Sequence, residues 1–403
     1  MGILSGMRVV EGSAFVAIPL AGMTLAQMGA EVIRFDRLEG GLDHGRWPVT
    51  QEGRSLFWAG LNKGKKSVAV NMKSEEGRDL VTRLITAPGE EAGLFLTNLR
   101  VRGWMDHETL SAHRPDLITV TLLGDRHGNP AVDYSVNPAL GFPMATGPEG
   151  SDAPVAHVLP AWDCIAGNLA VSSLLAAERH RLKTGEGQEA VLALKDVAAA
   201  MLGHLGIVGE VVVNGVDRAK SGNALYGAYG QDFVLQDGAR VMVIGLTDRQ
   251  WRGLVKATGT AEEMAALESR AGMSLKDEGN RWRLRHEITA ILAPWFAARP
   301  LAEVAAALDA AGCTWSEFRS FARAVREDPD LSPDNPMMAE LDQPGIGTYP
   351  VPGTPVAFGA RPREAPVRAP VLGEHTEEVL AEVGGLSSGE IGGLMDRGVV
   401  AGP

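Results

Sequence analysis

The stretch MRVVEGSAFVAIPLAGMTLAQMGAEVIRFD, residues 7–36, decides the fold. MRVVEG (7–12) and EVIRFD (31–36) are short runs rich in β-branched residues, the composition of strands. Between them PLAGMTLAQMGA has the apolar pattern of a helix, and the fixed φ of Pro19 suits a first helical turn. Strand, helix and strand in this spacing form a βαβ unit, whose two strands lie parallel.

The alternation continues outward. KSVAVNM (66–72), AGLFLTN (92–98) and DLITVTLL (116–123) read as further strands. Ser74 caps the helix after the first of them, with Glu75 and Glu76 in the turn where the dipole favours anions. A short helix falls near 106–114 and a long one runs from 164; GQEAVLAL then adds a strand and KDVAAAMLGHLGIVGEV a helix. DFVLQDGARVMVIGL (232–246) has the form of a hairpin turning at Asp237-Gly238, and helical patterns follow over 248–257, 280–297 and 301–312. Residues 344–371 are rich in Pro and Gly and read as an extended return, and EHTEEVLAEVG from 374 as a closing helix capped by Thr376. The expected class is α/β. A large domain with a mostly parallel sheet begins over 1–215, a smaller α+β domain covers 225–320, and a return segment over 321–403 completes the large domain.

The formal net charge of −12 argues against nucleic acid and acidic membrane surfaces as partners. Cys164 and Cys313 form neither a disulfide framework nor a zinc site, so no metal is expected. No run approaches 18 apolar residues and the start lacks a signal-peptide pattern, so a membrane partner is not expected and the expected location is the cytoplasm. GxGxxG and GxxxxGK[ST] are absent, which speaks against a conventional NAD enzyme or P-loop NTPase, and neither HExxH nor GxSxG occurs.

Open α/β sheets bind ligands outside the carboxyl ends of their strands. Here those ends carry GSAFVAIP, Asp36-Arg37, Asn71-Met72-Lys73, and Asn98 followed by Arg100 and Arg102. The loop NKGKK adds Lys63, Lys65 and Lys66. Cations along one edge of an acidic chain suit a phosphorylated ligand, although each alone reads first as a solvated surface charge and only the clustering is persuasive.

In LPAWDCIAGNLAVSSLLAAERHRLKTGEGQ (159–188) an anion comes first, cations last and Gly185 afterwards, the order a helix dipole prefers. Asp163 therefore reads as an N-cap. The same position suits a nucleophile. Amide N–H groups would hold the carboxylate ionised, it could attack a thioester, and free amides beside it would stabilise the oxyanion. His157, six residues upstream, is the nearest histidine and nothing marks it as a base; Cys164 reads as a buried apolar residue.

GMRVVEGS, GAEVIRFDR, LNKGKKSVAVNMK, TNLRVRG, AWDCIAGNLAVSSLLAAERHRLKTGEGQ and LGEHTEEVLAEVGGLS, in this order over nearly the whole chain, resemble the class III CoA-transferases, the formyl-CoA and carnitine-CoA transferase family. D-x₃-G…LAA…R…KTGxGQ and LGEHT are specific in combination. The resemblance implies an interlocked homodimer, each chain a Rossmann-like large domain plus a small one. It implies Asp163 as the nucleophile, forming an aspartyl anhydride and then an aspartyl-CoA thioester. CoA contacts would fall on Val16, Ala17, Arg37, Val70, Asn71, Met72, Lys73, Asn98, Leu99 and Arg102. CoA is then part of an acyl-CoA substrate, and no cofactor is held tightly. Within the family, SAFVAIPLAGMTLAQMGAEVIRFD, RWPVT, SLFWAGLNKGKKS, HVLPAWD and DNPMMAELDQPGIGTY resemble members that move CoA between the two carboxyl groups of one mesaconate, a step of the 3-hydroxypropionate carbon-fixation cycle. Arg46, in HGRWP, is the candidate for holding the free carboxylate and equally reads as an exposed loop arginine. The alternatives are intermolecular transfer between two acids, a noncatalytic CoA-binding protein, and an α-methylacyl-CoA racemase. The racemase's second base would fall at Val132, before Asp133, with His127 several residues away.

Overall fold

A computed structural model describes residues 2–403. The chain opens with β1 (Arg8–Gly12), α1 (Ala17–Gln27), β2 (Glu31–Asp36), α2 (Leu56–Leu61), β3 (Lys66–Val70), α3 (Glu75–Ile85), β4 (Leu94–Thr97), α4 (His107–His113) and β5 (Ile118–Leu123). Then come α5 (Asp133–Ala139), α6 (Phe142–Ala145), α7 (Ala161–Thr184), β6 (Gln188–Ala193), α8 (Leu194–His204) and α9 (Ile207–Asn214). The single helix expected over 195–211 is thus two, broken at Gly206, whose φ of +77° no helix accommodates. The middle holds β7 (Tyr229–Val234), β8 (Arg240–Gly245), α10 (Asp248–Thr258), α11 (Ala261–Ala271), α12 (Glu278–Arg283), α13 (Arg285–Ala297), α14 (Leu301–Ala310), β9 (Thr314–Glu317) and α15 (Phe321–Glu327). The chain ends with β10 (Met338–Gln343), β11 (Gly347–Pro352), α16 (Thr376–Glu382), α17 (Ser388–Asp396) and β12 (Val400–Ala401).

Two compact units result. One comprises the chain up to Leu140, Val158–Gly209 and Asp328–Pro403; the other comprises Gly141–His157 and Glu210–Glu327. Residues 141–157, expected in the large domain, therefore belong to the second unit. Polar contacts hold them there: Gly222 N–H donates to Gly147 O, Lys220 Nζ to Ala153 O and Arg285 Nη2 to Glu149 Oε1.

In the first unit the strand order is β12-β3-β2-β1-β4-β5-β6, parallel throughout except for β12. The order 3-2-1-4-5-6 reverses direction between β1 and β4, where open α/β sheets form their ligand crevice. Val10, Ile33, Phe35 and Val68 bury one face against Leu80 and Leu84 of α3, Leu380 of α16 and Leu394 of α17. On the other face α7 packs on β5, β6 and α1.

The return segment differs from expectation. Residues 338–352 form the antiparallel β10–β11 hairpin. Thr376 does not cap α16: it is fully buried, its Oγ1 accepting from Ala69 N–H and donating to Ala401 O. The LGEHT segment instead lies along β3. Gly373 N–H donates to Ser67 Oγ and His375 N–H to Ser67 O, so together with β12 it covers what would be an open sheet edge. Neither α17 nor β12 was expected, although the Ser387–Glu390 capping box that starts α17 is visible in the sequence.

The second unit has an antiparallel β7–β8–β9 sheet whose hairpin turns at Asp237-Gly238, with Gly238 at φ +82°. Tyr229, Trp251, Leu254, Ile288, Leu292 and Phe296 form its core.

Candidate active site

The turn after β1 is strained. Phe15 has φ +66°, unusual for a residue with a Cβ. Its N–H donates to Asp43 Oδ1 at 2.8 Å, and Asp43 is itself held by Arg34 Nη2 at 3.0 Å. Asn98, at the end of β4, clamps the preceding residue: Oδ1 accepts from Ala14 N–H at 3.0 Å and Nδ2 donates to Ala14 O at 2.9 Å. The two strand ends at the crevice are thus stitched together. The Phe15 ring is turned outward beneath Arg46, whose Cζ lies 5.2 Å from its centre and 5.0 Å from that of Phe57. Two aromatic faces around a guanidinium fix its direction.

Asp163 is the third residue of α7, the helix packed on the α1 that follows this turn. Gly167, one helical turn along, allows the approach: a Cβ there would meet Ala17 O at 2.6 Å. That contact explains the D-x₃-G spacing. Farther along the same motif, buried Arg181 donates to the carbonyls of Ala92 and Asp116, at the starts of β4 and β5, and a Cβ at Gly187 would strike Leu117 O at 2.3 Å.

The N-cap reading of Asp163 does not hold. The cap position is Pro160, which has no side-chain acceptor. The N–H groups of Trp162 and Asp163 donate instead to Asp133 Oδ2, at 2.7 and 3.2 Å. These amides therefore neither hold Asp163 ionised nor remain free for an oxyanion. Among the described residues none donates a hydrogen bond to the Asp163 carboxylate. Burial, and secondarily the Asp133 carboxylate, push its pKa up to about 6; Arg46 pulls the other way. Burial likewise pushes the Cys164 thiol up. Asp133 was missed as a functional residue because it lies 30 positions before Asp163 and no local pattern links them.

The remaining candidates fall in three places. Arg37 and Val70, Asn71, Met72 and Lys73 line a cavity of about 250 Å³ together with Leu38 and Glu39. Leu99 and Arg102 line another, of about 260 Å³, with Thr97, Asp106, His107 and Glu189. Val16 and Ala17 are buried at the start of α1. The side chain of Asn98 is spent on Ala14, and that of Val70 is fully buried. The lysines of NKGKK do not form a phosphate-binding edge. Lys65 is buried and paired with Glu11 at 2.8 Å, Lys63 is buried with its ammonium on Gly60 O, and Lys66 is paired with Glu31 and Glu378. Arg100 donates to Gly128 O.

The profile of CoA-transferase family III matches residues 4–376. Over its full length the chain is 57% identical to 2-methylfumaryl-CoA isomerase of Chloroflexus aurantiacus, spanning 98% of that protein. It is 28% identical to succinyl-CoA:mesaconate CoA-transferase of Haloarcula marismortui, over 95% of this chain and 97% of that one. Among solved structures, a CaiB/BaiF family protein from Brucella suis superposes with a TM-score of 0.77 at 26% identity, covering 95% of this chain and 99% of its own.

Proposed function

The chain belongs to CoA-transferase family III, and we propose that it moves CoA between the C1 and C4 carboxyl groups of one mesaconate (2-methylfumarate), with Asp163 as nucleophile. One observation carries this reading: a half-buried carboxylate without hydrogen-bond donors is electrostatically coupled to an arginine held between two phenyl rings. A carboxylate bare of donors keeps its lone pairs available for attack, and a cation opposite can hold the second carboxylate of a dicarboxylic acid. The name of the 57% identical relative supports the choice of acid.

In the proposed sequence, an Asp163 oxygen attacks the C1 thioester carbon and the CoA thiolate leaves. The thiolate then attacks the Asp163 acyl carbon of the anhydride, giving aspartyl-CoA and mesaconate. The C4 carboxylate attacks that thioester, releasing the thiolate, which returns to the C4 carbonyl and frees Asp163. Arg46 keeps mesaconate in place between steps, making the exchange intramolecular with a high effective concentration. Arg37 and Lys73 are assigned to the CoA phosphates, with Val70, Asn71, Met72, Leu99 and Arg102 along the same ligand and the backbone of Val16 and Ala17 beside its thioester end. CoA enters as part of the substrate, and the reading requires no resident cofactor. The acting species is a homodimer in the cytoplasm.

The racemase alternative has no second base at the expected place, since Val132 is a half-exposed valine at the start of α5. The decisive experiment supplies mesaconyl-C1-CoA alone and follows the C4 isomer by chromatography. Conversion without an added acid is expected. Turnover only with a second acid would move the assignment to intermolecular transfer, and solvent deuterium entering a C–H bond would move it to proton transfer.

A further inference from the structure

The first turn of α7 is held from outside its own helix. Asp133, the first residue of α5, is 1% exposed, and its Oδ2 takes the second and third amides of α7, those of Trp162 and Asp163. One turn along α5, buried Asn137 accepts from Trp162 Nε1 at 3.2 Å. With proline at the cap position, these amides have no local acceptor. Asp133 Oδ1 is buried without a hydrogen-bond partner, an uncommon condition for a carboxylate oxygen. The chain thus keeps a half-satisfied buried carboxylate against the turn that carries its reactive aspartate.

We propose that Asp133 is a positioning residue for Asp163: it occupies the α7 amides so that the Asp163 carboxylate cannot, and it sets a second carboxylate beside the nucleophile. The proposal rests on the reading of Asp163 as nucleophile. When the Asp163 oxygen forms its bond to the thioester carbon, the C–S bond breaks and its electron pair leaves on the CoA sulfur. The negative charge moves from the aspartate to the thiolate. Both covalent forms of Asp163, anhydride and thioester, are neutral at that side chain, so the repulsion from Asp133 is relieved in each. Asp133 therefore raises the reactivity of the free carboxylate and the share of protein held as covalent intermediate. The charged groups that act on Asp163 are Asp133 from α5 and Arg46 from the loop after β2, and Cys164 follows it on α7. The first turn of α1, Ala17-Ile18-Pro19, contributes no titratable group.

The test is Asp133→Asn. Its side-chain oxygen can still accept from both amides, so the turn is kept while the charge is removed. In the free protein, the Asp163 carboxyl is followed by ¹³Cγ NMR, assigned with D163N. Its titration, and the acid limb of kcat/KM, are expected to move down by about one pH unit. The fraction of Asp163 peptide trapped as the CoA thioester during turnover, read by mass spectrometry, falls about tenfold. A uniform loss of kcat with titration and acid limb unmoved would show a merely structural role and overturn the proposal. Should D133N fail to fold, Asp133→Glu keeps the charge: an acid limb at the wild-type pH supports the proposal, and a limb displaced downward overturns it. The titration needs no substrate. A shifted titration in a protein that never forms an adduct from mesaconyl-CoA would therefore remove the function proposed above and leave the Asp133–Asp163 coupling standing.

Discussion

At pH 7.5 Asp163 carries its charge in a half-buried site beside another carboxylate, and that charge works against the fold. Its folded-state pKa of about 6 lies above the ordinary 3.8, so the folded chain holds the proton more tightly than the unfolded one. Stability must fall as pH rises between these two values and stay low above them. Asp163→Asn, which cannot ionise, is expected to be more stable than wild type by about 1–3 kcal/mol at pH 7.5, with the gain shrinking toward zero near pH 4. Urea unfolding at the two pH values checks this; equal midpoints at pH 7.5 would contradict it. With Asp163 as the proposed nucleophile, the same titration is expected to place the acid limb of kcat/KM near pH 6. Arg46→Gln should move that limb upward, because Arg46 favours the ionised form. If Arg46 also binds the free carboxylate, kcat/KM for mesaconyl-CoA should drop by about 10–100-fold, while adduct formation from an acyl-CoA without a second carboxylate drops much less. An equal loss for both would take Arg46 out of substrate binding.

Between elements, the candidate active site depends on how closely α1 meets α7. At Gly167 a methyl group would press on the backbone carbonyl of Ala17, which cannot swing away as a side chain could. Gly167→Ala should cost about 1–3 kcal/mol and lower kcat by about 10²-fold, by parting the helix that carries Asp163 from the turn that carries Phe15. Gly203→Ala is the control. It lies in α8 with nothing within 4 Å of the added methyl, and should stabilise by about 0.5–1 kcal/mol. Chevron or equilibrium unfolding with steady-state kinetics reads both, and a fully active, undestabilised G167A would refute the packing argument. Strands β1 to β8 and most helices were legible because their signals are local: β-branched runs, a Ser74 cap, an Asp-Gly turn. What failed to show was long-range pairing. Lys65 reads as a surface cation until its partner Glu11, 54 positions away, is beside it. Thr376 reads as a cap until β12 supplies the carbonyl that its hydroxyl seeks. Asp163 could be singled out as a candidate from its own motif, whereas the acceptor for its amide came from α5 and could not be read from α7 alone.

Across the whole chain, some apolar surface lacks a cover. Helix α9, IVGEVVVN, has no buried residue; Val212 and Val213 are 76% and 81% exposed. Helix α15 likewise buries none of its residues, and Phe321 is 84% exposed. Sequence periodicity marks such stretches as apolar but does not say what covers them. Isolated helices this short are marginal in water, and contiguous apolar surface of this kind is what protein interfaces are made of. A second copy of the chain is the cover that the proposed homodimer supplies. Each copy carries a formal charge of −12, so long-range repulsion opposes pairing and apolar contact must overcome it. Salt screens the repulsion without weakening the contact, so dissociation should be easier at low ionic strength than at high. Val212→Asp/Val213→Asp adds two like charges to that surface and should sediment as a monomer, most completely in low salt, with CoA transfer lost along with the dimer. Wild type should remain a dimer at micromolar concentration under both conditions. If wild type instead sediments as a fully active monomer, the exposed valines have another role and the single chain is the catalyst.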